Sequence, residues 1–285
     1  VELYYTLVEK KQLIFFAEGE VCFQEKDNLL TADNGCLQIT SARDSLIPCL
    51  ISLLYKGTEW LENSYPDFPP RSVFNPFPGG IFIRPYRVGA EVLKSENHKA
   101  DFVSLKDNFE NCWQGITITT TIEKFAPLKG YIYKQYYLLR PGVPVLAIFA
   151  EVVNAQGIAC LHAFNFSFYR KHQQGEKDGL FYIQQEDNTW QMITQTNERD
   201  DMSLDYKTLA MQISDSDNYL QLFKLSKFAT GWLYMDPSVA VLDTNIYTEM
   251  VTQTPARTEP VFIVISEDLY QNDWLNQLLD LQFPV

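Results

Sequence analysis

The sequence predicts an all-β protein, a large antiparallel β-sandwich, and three observations carry that prediction. Short segments of period-2 alternation, rich in β-branched and aromatic residues, recur along most of the chain. Turn-forming pairs and clusters separate them. No amphipathic helix of ordinary length interrupts the series until the C-terminal end. Strands without alternating helices point to antiparallel sheets, and so to a sandwich or a barrel.

The strands are expected in order. Leu13–Phe16 and Cys36–Thr40 come first. Gln114–Glu123 is the cleanest, with Ile116, Ile118 and Ile122 on one face and Thr117, Thr119 and Thr121 on the other. Tyr131–Leu139, Val145–Val153 and Ala159–Tyr169 follow. Thr208–Ile213, Tyr219–Phe223, Gly231–Tyr234, Ile246–Thr252 and Val261–Ser266 complete the series. Asn34-Gly35, Pro141-Gly142, Asn154–Gly157, Asp178-Gly179 and Asp215–Asn218 supply turns between them. Over Glu267–Leu281, the spacing of Leu269, Trp274, Leu275, Leu278 and Leu279 predicts one short helix with Ser266 as its N-cap. The segment 63–86 is proline-rich, which argues against a regular central strand there. Its aromatics, an arginine and paired glycines suit the wall of a ligand cleft, or equally a crossover packed over one end of the sandwich.

Composition narrows the function classes. A chain of 285 residues suits one sandwich, and no repeat, low-complexity tract or linker divides it, so residues 1–285 read as one domain. At 46% hydrophobic and 14% aromatic it has the make-up of a globular protein. A net charge of -13 argues against nucleic acid or an anionic membrane as partner, and leaves neutral ligands such as sugars open. Cys22, Cys36, Cys49, Cys112 and Cys160 show neither zinc-ligand nor disulfide spacing and read as thiols in a reducing compartment, the cytoplasm. The longest apolar runs are about half the length of a membrane span. No signal peptide is visible, and a start at Val1 suggests a processed product or a domain excised from something longer. No metal site and no cofactor motif is present, and oligomeric state leaves no signature in the sequence.

Three segments carry a family resemblance. Gly35–Leu61, with its Gly57-Thr58-Glu59-Trp60 turn, looks like the opening of galactose-mutarotase-like domains. Asn75-Pro76-Phe77-Pro78-Gly79-Gly80 resembles an Asn-Pro-aromatic-x-Gly-Gly segment of that family. The segment 130–154, with Arg140-Pro141-Gly142, is similar to its strand, Pro-Gly turn and strand. The resemblance implies a saccharide ligand and, in active members, anomer interconversion by a His acid and a Glu base. His162-Ala163-Phe164-Asn165 is the best match to the family's His segment, one residue short. His162 is therefore the candidate acid, or a structural His aligned with Phe164, Phe166 and Phe168. Arg257 falls where the base belongs, so Glu249 and Glu259 are candidates only with a shifted register, and the residues argue against epimerase activity. Arg84, Trp113, Asn75, Phe77 and Asn165 are the candidate sugar-binding residues. His98 and His172, and the acidic groups at Glu198–Asp201, Asp205 and Asp215–Asp217, read as solvated loops. Three functions remain open: a non-catalytic saccharide-binding domain, an aldose 1-epimerase-like isomerase, and a protein-interaction scaffold.

Overall fold

A computed structural model describes residues 19–61, 65, 80–85, 88–155, 163–171, 180–185, 187, 189–193, 200–204, 208–212, 216–224, 230–235, 239–247, 254–269, 278 and 280–285. They form two ten-stranded antiparallel sheets. In the first, β1 (Cys22–Lys26), β2 (Leu29–Asp33), β3 (Leu37–Ala42) and β4 (Leu50–Tyr55) are consecutive neighbours. Beyond β4 lie β6 (Gly80–Pro85), β11 (Ala163–Lys171), β18 (Val239–Tyr247), β17 (Thr230–Met235) and β14 (Asp200–Leu204), with β5 (Thr58–Glu59) beside β4. The second sheet runs β13 (Trp190–Ile193), β12 (Leu180–Gln184), β15 (Thr208–Gln212), β16 (Tyr219–Lys224) and β20 (Val261–Ser266). It continues through β10 (Val145–Asn154), β9 (Ile132–Leu139), β8 (Cys112–Thr121) and β7 (Asn97–Lys106), with β19 (Ala256–Arg257) beside β10. A short helix, α1 (Ala90–Leu93), links the first sheet to the second.

The inward faces meet in one apolar core. Ile39, Leu53, Ile81 and Ile83 come from the first sheet, and Ile116, Tyr137, Ile148, Leu222 and Ile263 from the second. Burying such alternating faces is what holds two sheets together. The outward face of the second sheet carries a separate cluster, in which Trp113, Tyr136, Phe149 and Phe262 are covered by Leu278, Leu281 and Phe283. Phe283 stacks on Phe149 (centroids 4.7 Å apart) and meets Trp113 edge-on at 5.6 Å. Asn108 and Gln282 fasten that segment reciprocally: the Gln282 N–H donates to Asn108 Oδ1 at 2.8 Å, and the Asn108 N–H to the Gln282 carbonyl at 2.9 Å.

The chain departs from the sequence expectation at several places. β6 lies inside the first sheet despite its proline-rich setting, because Pro85 closes the strand and β4 pairs with β6 only at Leu50–Ile81. Gly80 sits at φ +89°, and a Cβ there would lie 2.3 Å from the Leu50 carbonyl oxygen, so the crossing requires glycine. The second sheet supplies the partners that β4 does not. The Ile83 N–H donates to Gln135 Oε1 at 2.6 Å, and Gln135 Nε2 donates to the Pro48 carbonyl at 3.1 Å. The Tyr137 hydroxyl lies 3.1 Å from the Ile81 carbonyl and 2.8 Å from Gln135 Oε1. A buried polar seam thus ties β6 to β9.

Other corrections are smaller. Ser266 ends β20 and is not a helix N-cap; position 278 is helical, while most of the expected helix lies outside the described residues. The strand expected at Ile246–Thr252 is β18, which ends at Tyr247. Asp200 and Asp201 belong to β14 and not to a loop. The expected strand Leu13–Phe16 lies outside the described residues. β1 and β2 were missed; they join through Asp27 and Asn28 at φ 50° and 68°, a two-residue turn with both central residues left-handed. No helix among the described residues is long and apolar enough to cross a membrane.

Candidate functional site

Arg84 stands on β6 one residue beyond Ile83. Ile81 and Ile83 enter the core, so strand alternation assigns Phe82 and Arg84 to the outer face of the first sheet. The Arg84 guanidinium donates from Nη1 to the Val88 carbonyl at 3.1 Å and lies 5.8 Å from the centre of the Phe82 ring. Phe82 is fully buried, so the guanidinium is held between a ring and a carbonyl, which limits its rotamers.

The register extends this face across the neighbouring strands. Arg84 pairs with Asn165 on β11, Asn165 with Asn245 on β18, and Asn245 with Thr230 on β17. The adjacent outer row runs Phe82, Ser167, Asp243, Trp232 and Ser203. Directly opposed residues of antiparallel strands belong to the same face. Positions 164, 166 and 168, with which the sequence aligned His162, pair with Pro85, Ile83 and Ile81 and fall in the core-facing rows. Arg84 and Asn165 are the two candidate residues that the fold brings side by side.

The remaining candidates are placed elsewhere or lie outside the described residues. Trp113 is wholly buried on the outer face of the second sheet, packed by Phe262 and Phe283, with its indole N–H donating to Asp107 Oδ2 at 2.9 Å. The whole core separates it from Arg84, so the two share no cleft. Glu259 is exposed in the turn between β19 and β20, where Thr258 pins the chain to β10 through two bonds with Ala150. Asn75, Phe77, His162 and Glu249 lie outside the described residues, as does His172.

Arg257, at the place of the family's base, has a structural task. Its Nε donates to Glu151 Oε2 at 2.5 Å, and its guanidinium lies 5.5 Å from the Tyr136 ring centre. Its Nη1 donates to the carbonyls of Phe283 and Pro284, which secures the C-terminal segment. Burial, then the Glu151 carboxylate, pushes the Tyr136 phenol up to about 12. A carboxylate so neutralised offers no base to a ligand.

His98, expected in a solvated turn, is instead on β7 with a mostly buried ring. Its Nε2 lies 2.7 Å from the Leu93 carbonyl and its Nδ1 3.0 Å from Thr120 Oγ1. Nε2 must carry the proton toward the carbonyl, leaving Nδ1 to accept from Thr120. Burial lowers its pKa, against the opposing pull of the Leu93 carbonyl and Glu96. The signal sequence reasoning overlooked was Asn97–Lys106 as an edge strand, which carries the imidazole against β8.

No protein-family model and no curated protein matches the sequence. Solved structures do match its fold. A galactose mutarotase-like protein from Lactobacillus casei is 12% identical with a TM-score of 0.54, over 84% of this chain and 100% of that one. A galactose mutarotase related enzyme from Lactobacillus acidophilus is 8% identical with a TM-score of 0.51, over 83% and 96%. The galactosidase domain of an alpha-galactosidase-sucrose kinase is 9% identical with a TM-score of 0.54, over 91% of this chain and 43% of that one. With two stacked antiparallel sheets and these neighbours, the chain has the galactose-mutarotase-like fold.

Proposed function

We propose that this sandwich binds a saccharide on the outer face of its first sheet, over Arg84 and Asn165. The observation that carries the reading is the register row Arg84, Asn165, Asn245 and Thr230 across β6, β11, β18 and β17. Guanidinium, amide and hydroxyl groups match the donors and acceptors of sugar hydroxyls. Neighbours named as galactose mutarotase-like and as a galactosidase domain support the same ligand class. The net charge of -13 favours a neutral partner over a polyanion. The free thiols of Cys22, Cys36, Cys49 and Cys112 suit a reducing compartment such as the cytoplasm.

The reading is non-catalytic, since Arg257 is bound to Glu151 and leaves the family's base position without a carboxylate. Saturation-transfer NMR with galactose and glucose tests it. Transfer to the sugar is expected in the parent protein and is lost in Arg84→Ala. Transfer that is unchanged in Arg84→Ala removes the site. An anomer-exchange measurement on the same samples tests the catalytic alternative through His162 with Glu249 or Glu259: exchange above buffer would overturn the non-catalytic reading.

A further inference from the structure

Ile83, the residue before Arg84, is held by the second sheet at both ends of its backbone. Its N–H donates to Gln135 Oε1, and its carbonyl faces the Tyr133 hydroxyl at 3.4 Å. That carbonyl belongs to the planar peptide unit that carries the Arg84 nitrogen, so Tyr133 bears directly on how Arg84 is held. Tyr133 is the last member of a row. His98 on β7, Thr120 on β8 and Tyr133 on β9 are successive register partners, and Ala100 and Tyr133 show that the row faces the core. His98 Nδ1 lies 3.0 Å from Thr120 Oγ1, and the Thr120 hydroxyl meets that of Tyr133.

The protons of this row can be counted. Its contacts run from Nδ1 to Thr120, from Thr120 to Tyr133, and from Tyr133 to the Ile83 carbonyl. While His98 is neutral, its ring proton is on Nε2, facing the Leu93 carbonyl at 2.7 Å. The two hydroxyl protons must then serve all of these contacts, and one contact always goes unmade. Further partners of Tyr133 do not change the count, because a hydroxyl has a single proton to give. At 3.4 Å the Ile83 contact is long and is the one to yield. A proton on Nδ1 supplies what is missing. His98 then donates to Thr120, Thr120 to Tyr133, and Tyr133 to Ile83, with every bond running in one direction.

The other side of the imidazole leads to the same arginine. Leu93 ends α1, a single turn too short to hold itself, and Val88, two residues before α1, accepts from Arg84 Nη1 at 3.1 Å. Around the ring, Glu91 of α1 pairs with Lys94, Lys99 of β7 with Asp101, and Glu123 beyond β8 with Asn97. Lys134 of β9 faces Glu151, and the Arg84 charge on β6 is felt at Tyr133. Burial disfavours the imidazolium, while the Leu93 carbonyl and Glu96 favour it, so the ring takes its proton below its ordinary 6.5. We infer that His98, Thr120 and Tyr133 form a proton-operated latch on the Arg84 site: a charged His98 completes the row and fastens the peptide before Arg84. The consequence for binding, a saccharide held more tightly when His98 is charged, rests on the function proposed above.

The test follows two NMR signals of the folded protein from about pH 8 to about pH 5: the His98 ring, assigned through His98→Gln, and Arg84 Nε–Hε, assigned through Arg84→Lys. The Arg84 signal is expected to move with the midpoint of the His98 ring. Thr120→Val and Tyr133→Phe each cut the row without touching either residue. In both, the ring is expected to titrate still, while the Arg84 signal no longer follows it. A ring that stays neutral over the whole range overturns the inference. So does an Arg84 signal that ignores the His98 midpoint, or one that still follows it in either cut variant. Galactose affinity in the parent protein is expected to be about threefold tighter below the midpoint, as one modest hydrogen bond supplies, and to lose that dependence in Tyr133→Phe. Equal affinity on both sides of the midpoint overturns the inference. An Arg84 signal that follows His98 with no galactose bound at any pH supports the latch and refutes the saccharide reading.

Discussion

Replacing Gln135 by leucine probes the seam that holds β6 in the first sheet. Gln135 is fully buried, and leucine fills similar volume without its amide. The Ile83 N–H and the Pro48 carbonyl then lose their partners, while the Tyr137 hydroxyl retains the Ile81 carbonyl. Each buried group left unpaired costs about 1–3 kcal/mol, so two cost about 2–6 kcal/mol. At a urea m-value of about 3 kcal/mol per M, the unfolding midpoint falls by about 1–2 M with m unchanged. Tyr137→Phe is the control. It removes one hydroxyl and spares the amide bridge, so it is expected to cost about 1 kcal/mol. If Gln135→Leu costs no more than Tyr137→Phe, the seam does not hold β6 and the reasoning fails.

Further predictions concern other parts of the molecule. Gly80→Ala would set its methyl against the Leu50 carbonyl at a left-handed φ; loss of soluble protein, or a penalty above about 3 kcal/mol by urea unfolding, is expected. Phe283→Ala removes the ring between Phe149 and Trp113 and should cost about 3 kcal/mol, with a red shift of tryptophan emission as Trp113 meets water. Burial holds His98 below its ordinary 6.5, so the unfolded chain takes up its proton first as pH falls. Its contribution is therefore complete above that value and is lost on acidification, at most about 1.4 kcal/mol per pH unit. His98→Gln, compared by urea midpoints at neutral and mildly acidic pH, should flatten that part of the acid limb.

The strands legible in the sequence are those with one face in the core and an ordinary neighbour on each side. β8, β9, β10 and β20 alternate or run apolar because burial selects their residues, and their bounds fell within two residues of expectation. β1 escaped notice because every residue of it is exposed at the sheet edge, where nothing selects an apolar pattern. β6 escaped because its missing neighbour is replaced by Gln135, Tyr133 and Tyr137 from the other sheet, contacts that no local pattern encodes. At the site, Arg84 and Asn165 are candidates read from separate segments, and only the register of β6 with β11 sets them side by side. Trp113, a candidate for sugar binding in the sequence, is covered by Phe283, and an aromatic on a strand reads alike whether a ligand or a ring of its own chain covers it.

The fastened C-terminal segment fixes where a tether would leave the molecule. Val285 is 69% exposed, while Phe283 and the Arg257 clamp keep the preceding residues on the second sheet. A biotin or short linker attached there would fix the protein to a sensor chip in one orientation, with the Arg84 side turned toward the flowing solution.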